Sequence, residues 1–376
     1  MTTAETVIGS GIKVSCARED LVQKLAVVVR GVSIRTAVQV LSGIHVTAEG
    51  SELTLAATDM ELSIRTALPA DVDGSGRAVV PGRLFAELAR LLPGGDVELE
   101  QGPEDGVFRV SCGSASYTLH TYAAEDFPRL PEVDAAALAT VERDAFLGTL
   151  TRVGRAASRD ESRPVLTGIL VRFEGGNLVM AATDSYRLAV KETPIEATIE
   201  DLEALVPARA LTEVQRLAPP ADQLELAVLE NQAVFALGDT TLTTRRIDGQ
   251  FPNYKALIPE SFESEVTLPR EEFLDVVRRT AVMAQRNSPL RLRFGEGELT
   301  ITARTPDVGE ATESLPVQFG GEAIEIGFNA EFLRDGIESV EGDEVRLKLI
   351  SPLRPAVLQG TTDDFTYLIM PIRLAG

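Results

Sequence analysis

Residues 166–190 read LTGILVRFEGGNLVMAATDSYRLAV, two alternating apolar runs separated by the turn residues Gly175-Gly176-Asn177. This pattern predicts a pair of strands. Residues 41–65, LSGIHVTAEGSELTLAATDMELSIR, repeat the stretch at a constant offset of 125 residues, as from Asp59 to Asp184. A repeat of that length in a chain of 376 residues predicts three copies of one module.

Each copy is predicted to begin with an amphipathic helix. Apolar residues with helical spacing follow Arg18, Arg143 and Arg270, and acidic residues occupy the first turn in all three places. Acidic side chains there are favourable because the amino end of a helix carries a partial positive charge.

Strand pairs and a second helix are predicted after each first helix. The expected strand pairs are 38–46 with 53–57, 166–173 with 178–182, and 290–294 with 299–303, and the second helices follow residues 81, 207 and 329. The sequence therefore predicts an α+β fold of three repeated domains, each with two helices packed on antiparallel sheets. The predicted domains are residues 1–133, 134–260 and 261–376.

The net charge of −21 is distributed unevenly along the chain. Residues 13–35, 143–163 and 270–293 carry +3, +2 and +3, so that the remainder holds −29. A wholly acidic protein would be a poor partner for DNA, since duplex binding depends on Lys and Arg meeting phosphates. Three first helices with an excess of positive charge instead predict one basic surface on an otherwise acidic molecule.

The second of these helices shows how charge and core divide. At 100° per residue, Phe146 and Leu150 share one side, and Arg152 and Arg155 lie near the opposite side. For a single helix, a solvated face is the ordinary interpretation. Three such helices favour contact with phosphates, and the absence of Trp and of any base-reading motif predicts binding that is indifferent to sequence.

Several classes of protein are disfavoured by the composition. The N-terminus lacks a signal peptide and no apolar run approaches membrane-spanning length, so that a soluble cytoplasmic protein without membrane contact is expected. Cys16 and Cys112 are too few for a disulfide framework or a thiolate metal site, and no metal or other cofactor is expected. His45 and His120 have no catalytic spacing, and no phosphate-binding loop occurs, so that the chain is predicted not to be an enzyme.

Several segments together resemble one known family, the beta subunit of bacterial DNA polymerase III, or sliding clamp. The segments are ATDMELSIR, ATDSYRLAV, VPGRLF, FPNYKALIP, GFNAEFL and the C-terminal YLIMPIRL, and the resemblance covers nearly the whole chain. It implies three similar domains per chain and a head-to-tail homodimer that closes a six-domain ring. Duplex DNA would pass through the ring, which would act as a processivity factor that tethers the polymerase.

The resemblance also implies DNA-binding positions at Arg35, Arg83 and Arg209, which join Arg152 and Arg155 from the helical pattern. Asp160 and Pro164 occupy places where the family offers other DNA contacts.

A groove for short linear peptides is the second site that the resemblance implies. Its deep pocket corresponds to Leu166, Thr183, Ser185, Tyr186, Arg187, Leu188, Pro252, Leu257, Leu368 and Met370, and its shallower extension to Asn329, Phe332, Leu353, Pro371, Ile372 and Arg373. Leu166, Leu188 or Leu257 alone would be ordinary core, and only the full set favours a pocket. Ser185-Tyr186 stands where the family often has Gly-His.

The expected dimer interface pairs Tyr117 and Leu119 with Val282 and Met283 of a second copy. The implied partners are duplex DNA, a second copy of the chain, the replicative polymerase alpha subunit, the clamp-loader complex and other proteins with a clamp-binding motif. Two alternatives remain open at this point. The chain is a divergent second clamp copy, or it is an acidic repeat scaffold that binds proteins without DNA.

Overall fold

The computed structural model describes residues 11–34, 37–102, 106–130, 138–195, 201–218, 222–285, 288–295, 297–361 and 364–374. Within them, the first and second helices of each copy form where the sequence predicts them. Their bounds are α1 Arg18–Val28, α2 Gly82–Leu91, α3 Arg143–Val153, α4 Ala208–Leu217, α5 Arg270–Ala281 and α6 Ala330–Ser339. No helix in this part of the chain is long and apolar enough to cross a membrane.

The chain divides into two compact units, residues 1–140 with 213–245, and residues 141–212 with 246–376. Strands up to the middle of the chain are β1 Ile12–Ala17, β2 Gly43–Glu49, β3 Glu52–Thr58, β4 Leu62–Pro69, β5 Asp71–Gly74, β6 Gly76–Pro81, β7 Asp96–Gln101, β8 Val107–Cys112, β9 Ala115–His120, β10 Ala139–Glu142, β11 Gly168–Glu174, β12 Asn177–Thr183 and β13 Arg187–Pro194. The remaining strands are β14 Leu202–Pro207, β15 Gln223–Val228, β16 Gln232–Leu237, β17 Thr240–Arg245, β18 Ser264–Pro269, β19 Leu290–Gly295, β20 Glu298–Thr305, β21 Gly309–Pro316, β22 Ile324–Phe328, β23 Glu344–Leu349, β24 Ala356–Gln359 and β25 Phe365–Ile369.

The first unit contains two antiparallel sheets. One has the order β5-β1-β7-β8-β9, and the other includes seven strands in the order β15-β16-β17-β4-β3-β2-β6. Leu21, Leu25 and Val28 of α1 pack against both sheets with Phe85 of α2, and all four are fully buried. The buried side of α1 is the apolar side that the sequence predicts.

The second unit repeats this arrangement. Its large sheet has the order β14-β11-β12-β13-β25-β24-β23-β18, and its smaller sheet has the order β21-β20-β19-β22. The apolar faces of α3, α5 and α6 carry buried residues such as Phe146, Phe273 and Leu333.

Both large sheets join strands from two successive copies. In the first unit β4 pairs with β17, and in the second unit β13 pairs with β25, antiparallel in both. The backbone N–H of Arg245 donates to the Glu61 oxygen at 2.9 Å, and that of Met370 donates to the Tyr186 oxygen at 2.8 Å. The two junctions therefore have the same register. The predicted domain bounds at 133 and 260 stay predictions, and the compact units divide the middle copy between them.

Two predicted strands begin later than expected. Residues 39–42 and 164–167 form 3₁₀ turns, and β2 and β11 start only at Gly43 and Gly168. The Ser42 hydroxyl donates to the Gln39 carbonyl at 2.7 Å, and the Thr167 hydroxyl donates to the Pro164 carbonyl at 2.7 Å. These local bonds compete with extended structure, which alternating hydrophobicity alone does not reveal.

Candidate functional site

The turn that ends β12 is held by its own side chains. The Thr183 hydroxyl donates to the Arg187 carbonyl at 2.6 Å, and Oδ1 of Asp184 accepts from the N–H groups of Tyr186 and Arg187 at 2.9 and 3.0 Å. Ser185 adopts the left-handed conformation with φ of 80°. This conformation is rare for residues other than glycine, and here the bonds on either side stabilise it. The turn leaves Tyr186 61% exposed at its tip.

The first copy contains the same turn. The Thr58 hydroxyl donates to the Leu62 carbonyl at 3.1 Å, Asp59 accepts from the Leu62 N–H at 2.8 Å, and Met60 has φ of 78°. The Thr-Asp pair is therefore a repeated structural turn, as expected from its recurrence, and what differs between the two copies is the set of side chains that the turn presents.

An apolar floor lies behind the second turn. Leu188 and Leu368 are paired across β13 and β25, and they share a buried cluster with Leu170 and Tyr254. Chain segments that continue from this cluster leave large apolar side chains in contact with solvent. Leu257 is 51% exposed, and Leu353 and Met370 are also exposed. A buried apolar floor with exposed apolar side chains on neighbouring segments suits the anchors of an extended peptide.

The buried guanidinium of Arg187 connects the turn to α6. Its Nε donates to Asp184 at 3.0 Å, and its Nη1 donates to Asp335 at 2.6 Å. It also lies over the ring of Phe332, 4.3 Å from the ring centre. Burial by itself lowers the pKa of Arg187, but Tyr367, Asp335 and Asp184 outweigh it and raise the pKa, so that the charge persists.

The shallower extension is built around the start of α6. The Asn329 side chain caps the helix by accepting from the Phe332 N–H at 3.0 Å. The Tyr367 hydroxyl, whose pKa burial raises, donates to the Phe332 carbonyl at 2.8 Å. Beside it, the Ile372 N–H donates to the Gly327 carbonyl at 2.8 Å, which fixes the C-terminal segment along β22.

The remaining predicted groove residues lie on loops. Leu166 is half-buried in its 3₁₀ turn, Pro252 and Arg373 are exposed, and Pro371 is half-buried. All of the predicted groove residues belong to the second unit.

Sequence reasoning missed three residues of this region, Asp335, Tyr367 and Arg163. Arg163 donates to Asp160 and to the Ser185 hydroxyl, each at 3.0 Å, and so supports the left-handed residue. Hydrogen bonds from Ser162 and then Arg163 lower the pKa of Asp160. An indirect signal for a buried acidic partner was available, because Arg187 occupies the position that Leu62 has in the first copy.

The basic residues predicted to meet DNA have different surroundings. Arg35 lies outside the described residues. Arg83 on α2 and Arg209 on α4 are exposed, each being the second residue of its helix.

Arg152 on α3 and Arg155 in the 3₁₀ turn that follows α3 are less available than the helical pattern suggests. Arg152 is paired with Glu341, and Arg155 is paired with Glu338 and with Asp335, the latter at 3.5 Å. Burial alone would raise the pKa of Glu338, but hydrogen bonds from Arg155 and Arg278 outweigh it and lower that pKa. The side of α3 that the sequence predicts to face phosphates is thus partly neutralised by α6.

A cavity of about 310 Å³ lies at this contact between α3 and α6. Arg270 closes one side by donating to the carbonyls of Ile337 and Glu338 at 3.2 and 3.3 Å. Positive side chains are favourable there because the carboxyl end of a helix carries partial negative charge. None of the predicted groove residues lines this cavity.

The residues predicted for a dimer interface are divided between the two units. Tyr117 is exposed on β9, which is an edge strand, and Leu119 is buried in the core of the first unit. Val282, directly after α5, is 73% exposed, and Met283 is half-buried. Among the described residues no group of acidic, His and Cys side chains could hold a metal ion.

Three sequence models of the DNA polymerase III beta subunit match the chain in succession. The N-terminal domain matches residues 12–131, the central domain 140–253 and the C-terminal domain 255–373. The chain belongs to this family. Its function is that of a sliding clamp, and the three repeated domains are clamp domains.

Relatives and solved structures agree with this assignment. The beta sliding clamp of Streptomyces coelicolor is 35% identical over 97% of this chain and 100% of its own length. A beta sliding clamp homolog of Streptomyces muensis, GriR, is 34% identical over 95% of this chain and 98% of its own length. The DNA polymerase sliding clamp of Bacillus subtilis superimposes with a TM-score of 0.91 at 26% identity, covering 97% of this chain and 100% of that structure.

Proposed function

We propose that two copies of this chain close a ring around duplex DNA and slide along it in the cytoplasm without catalysing a reaction. The observation that carries the proposal is the repeated placement of exposed Arg83 and Arg209 at the second position of α2 and α4, in a chain of net charge −21. Basic residues at matching places in successive repeats offer positive charge to phosphates in each unit, which a ring can use without reading bases. Arg35, Arg152 and Arg155 are also proposed to contribute to DNA binding. This proposal replaces the alternative of an acidic scaffold that binds proteins without DNA.

Ring closure is proposed to involve β9 of one copy and the region after α5 of the other. Tyr117 offers an exposed aromatic ring on β9, which is the last strand of its sheet among the described residues, and Val282 offers an exposed apolar side chain. Both features are unfavourable in water and become favourable when a second copy covers them.

The groove at Tyr186, Leu257 and Met370 is proposed to hold extended peptides. Leu188 and Leu368 form the floor for an apolar anchor, and Phe332 supports a second anchor. The proposed owners of such peptides are the polymerase alpha subunit, the clamp loader and other proteins with a clamp-binding motif. Exposed Tyr186 narrows the mouth of the pocket and so influences which of them bind.

The DNA proposal is tested with Arg83→Glu combined with Arg209→Glu. We expect the doubly substituted clamp, loaded by a clamp loader, to leave nicked circular DNA roughly tenfold faster at about 0.1 M salt, because two phosphate contacts become repulsive. The measurement is retention on circular DNA during gel filtration, with linearised DNA for comparison.

Arg65→Glu combined with Arg245→Glu is the matched control, because both residues are exposed on strands outside the three basic stretches and the charge change is equal. This control should be retained like the wild type. Equally fast loss of the wild type from circular and linear DNA would contradict the ring.

A further inference from the structure

One buried carboxylate contacts three arginines behind the peptide groove. Asp335 on α6 is 7% exposed, and its Oδ2 accepts from Arg187 at 2.6 Å. Its other oxygen, Oδ1, lies 3.5 Å from Arg155 and 3.4 Å from Arg334. A buried carboxylate is stable only when cations compensate its lost hydration. Asp335 and these arginines therefore hold one another in place.

Arg187 transmits that constraint to both parts of the groove. It is bonded to Asp184, which holds the turn below Tyr186, and it stacks on Phe332, which belongs to the shallower extension. Through Arg187, Asp335 is therefore linked both to the turn and to the extension.

The first unit provides an internal comparison. Arg30, in the 3₁₀ turn after α1, forms an ion pair at 3.2 Å there with Glu213 on α4. Arg155, in the 3₁₀ turn after α3, and Asp335 on α6 occupy the same places in the second unit. The position of Arg187, however, is occupied by Leu62, which is 2% exposed, and the turn forms in the same way. The ion pair between helices is therefore common to both units, whereas the bond from Arg187 to Asp335 exists only behind the groove. Because the first unit forms the same junction without such a bond, the fold itself does not require it. The bond from Arg187 to Asp335 in the second unit is therefore explained by the groove that it supports.

We propose that Asp335 is a positioning residue of the peptide groove, acting through Arg187, and that Arg155 modulates peptide affinity by sharing its carboxylate. The proposal rests on the proposed peptide groove. Because Arg155 and Arg187 use the two oxygens of one carboxylate, removing Arg155 leaves more of the negative charge to Arg187 and tightens the groove. Removing the carboxylate loosens it.

The test measures binding of a fluorescein-labelled peptide from the polymerase alpha subunit of the same bacterium, by fluorescence anisotropy on the full-length protein. Asp335→Asn is expected to weaken binding about tenfold, and Arg155→Gln to strengthen it about twofold to threefold. In the double variant the effect of Arg155→Gln should disappear. A shortened peptide that fills only the deep pocket should lose much less affinity with Asp335→Asn, since it does not span both parts.

Glu213→Gln is the matched control, because it breaks the corresponding ion pair in the first unit and should leave peptide affinity unchanged. A purely structural role for Asp335 predicts instead that Arg155→Gln weakens binding and that short and long peptides lose affinity equally, and either result overturns the proposal. If Asp335→Asn does not fold, Arg155→Gln alone tests the proposal. The Arg155 side chain is 42% exposed, so that its replacement is tolerated by the fold. Stronger peptide binding supports the positioning role, and weaker binding supports the purely structural role. Failure of the wild type to bind the peptide would refute the groove itself, which is a different outcome.

Discussion

Truncation after Ile369 is expected to weaken peptide binding by at least about a hundredfold while both units stay folded. The truncation removes Met370, an exposed apolar residue whose N–H is bonded to Tyr186, and Ile372, whose N–H is bonded to Gly327. Apolar contacts of two such side chains contribute about 3 kcal/mol together, which corresponds to a factor of about one hundred in affinity. Anisotropy of a labelled polymerase peptide measures the loss, and circular dichroism melting checks the fold.

Leu91→Ser serves as the control for the truncation, because Leu91 is an exposed apolar residue of α2 in the other unit. This variant should bind the peptide like the wild type. Peptide binding that survives the truncation would contradict the proposed position of the groove, whether or not DNA retention changes.

The repeat made most of the fold predictable. An offset of 125 residues located equivalent helices and hairpins, and the structure confirms the six predicted helices and all three predicted strand pairs, two of which start later than expected. The pairing of β4 with β17 and of β13 with β25 was not predicted. Hydrophobic alternation shows which face of a strand is buried, but strand edges carry no comparable pattern. Which copy supplies the neighbouring strand therefore could not be read from the sequence.

The groove was predictable from the resemblance, but its buried support was not. Leu188 and Met370 belong to recognisable segments, whereas Asp335 and Tyr367 lie in patterns typical of ordinary core. The useful signal was the difference between the two copies, where Arg187 replaces Leu62. A charged residue at a position that is buried in the other copy implies a buried partner. The sequence does not say which acidic residue that partner is.

The net charge of residues 143–163 overestimates how many of their arginines are available to phosphates. The count of +2 for residues 143–163 treats each charge separately. In the folded chain, Glu338 and Glu341 near the end of α6 pair with Arg155 and Arg152. A phosphate near α3 must therefore compete with these carboxylates, which suits contacts that have to be weak enough for sliding.

Substituting Gly336 by alanine is expected to destabilise the second unit by about 2 kcal/mol, although alanine favours helices. A Cβ atom at this position of α6 would lie 2.6 Å from two ring atoms of Tyr367, closer than any normal contact. The ring is fully buried and cannot move aside without repacking. Since its hydroxyl bonds to Phe332 and Arg187, displacement of the ring should also weaken peptide binding.

Gly148 on α3 provides the matched control within the same unit. A Cβ atom there would meet nothing within 4 Å, so that Gly148→Ala should stabilise the protein by about 0.5–1 kcal/mol through the unfolded chain. Urea unfolding followed by circular dichroism measures both substitutions. The same chemical change thus has opposite signs in two helices, because only α6 approaches its sheet closely enough to require glycine. Equal stabilisation by both substitutions would show that the approach of α6 to Tyr367 does not limit this position.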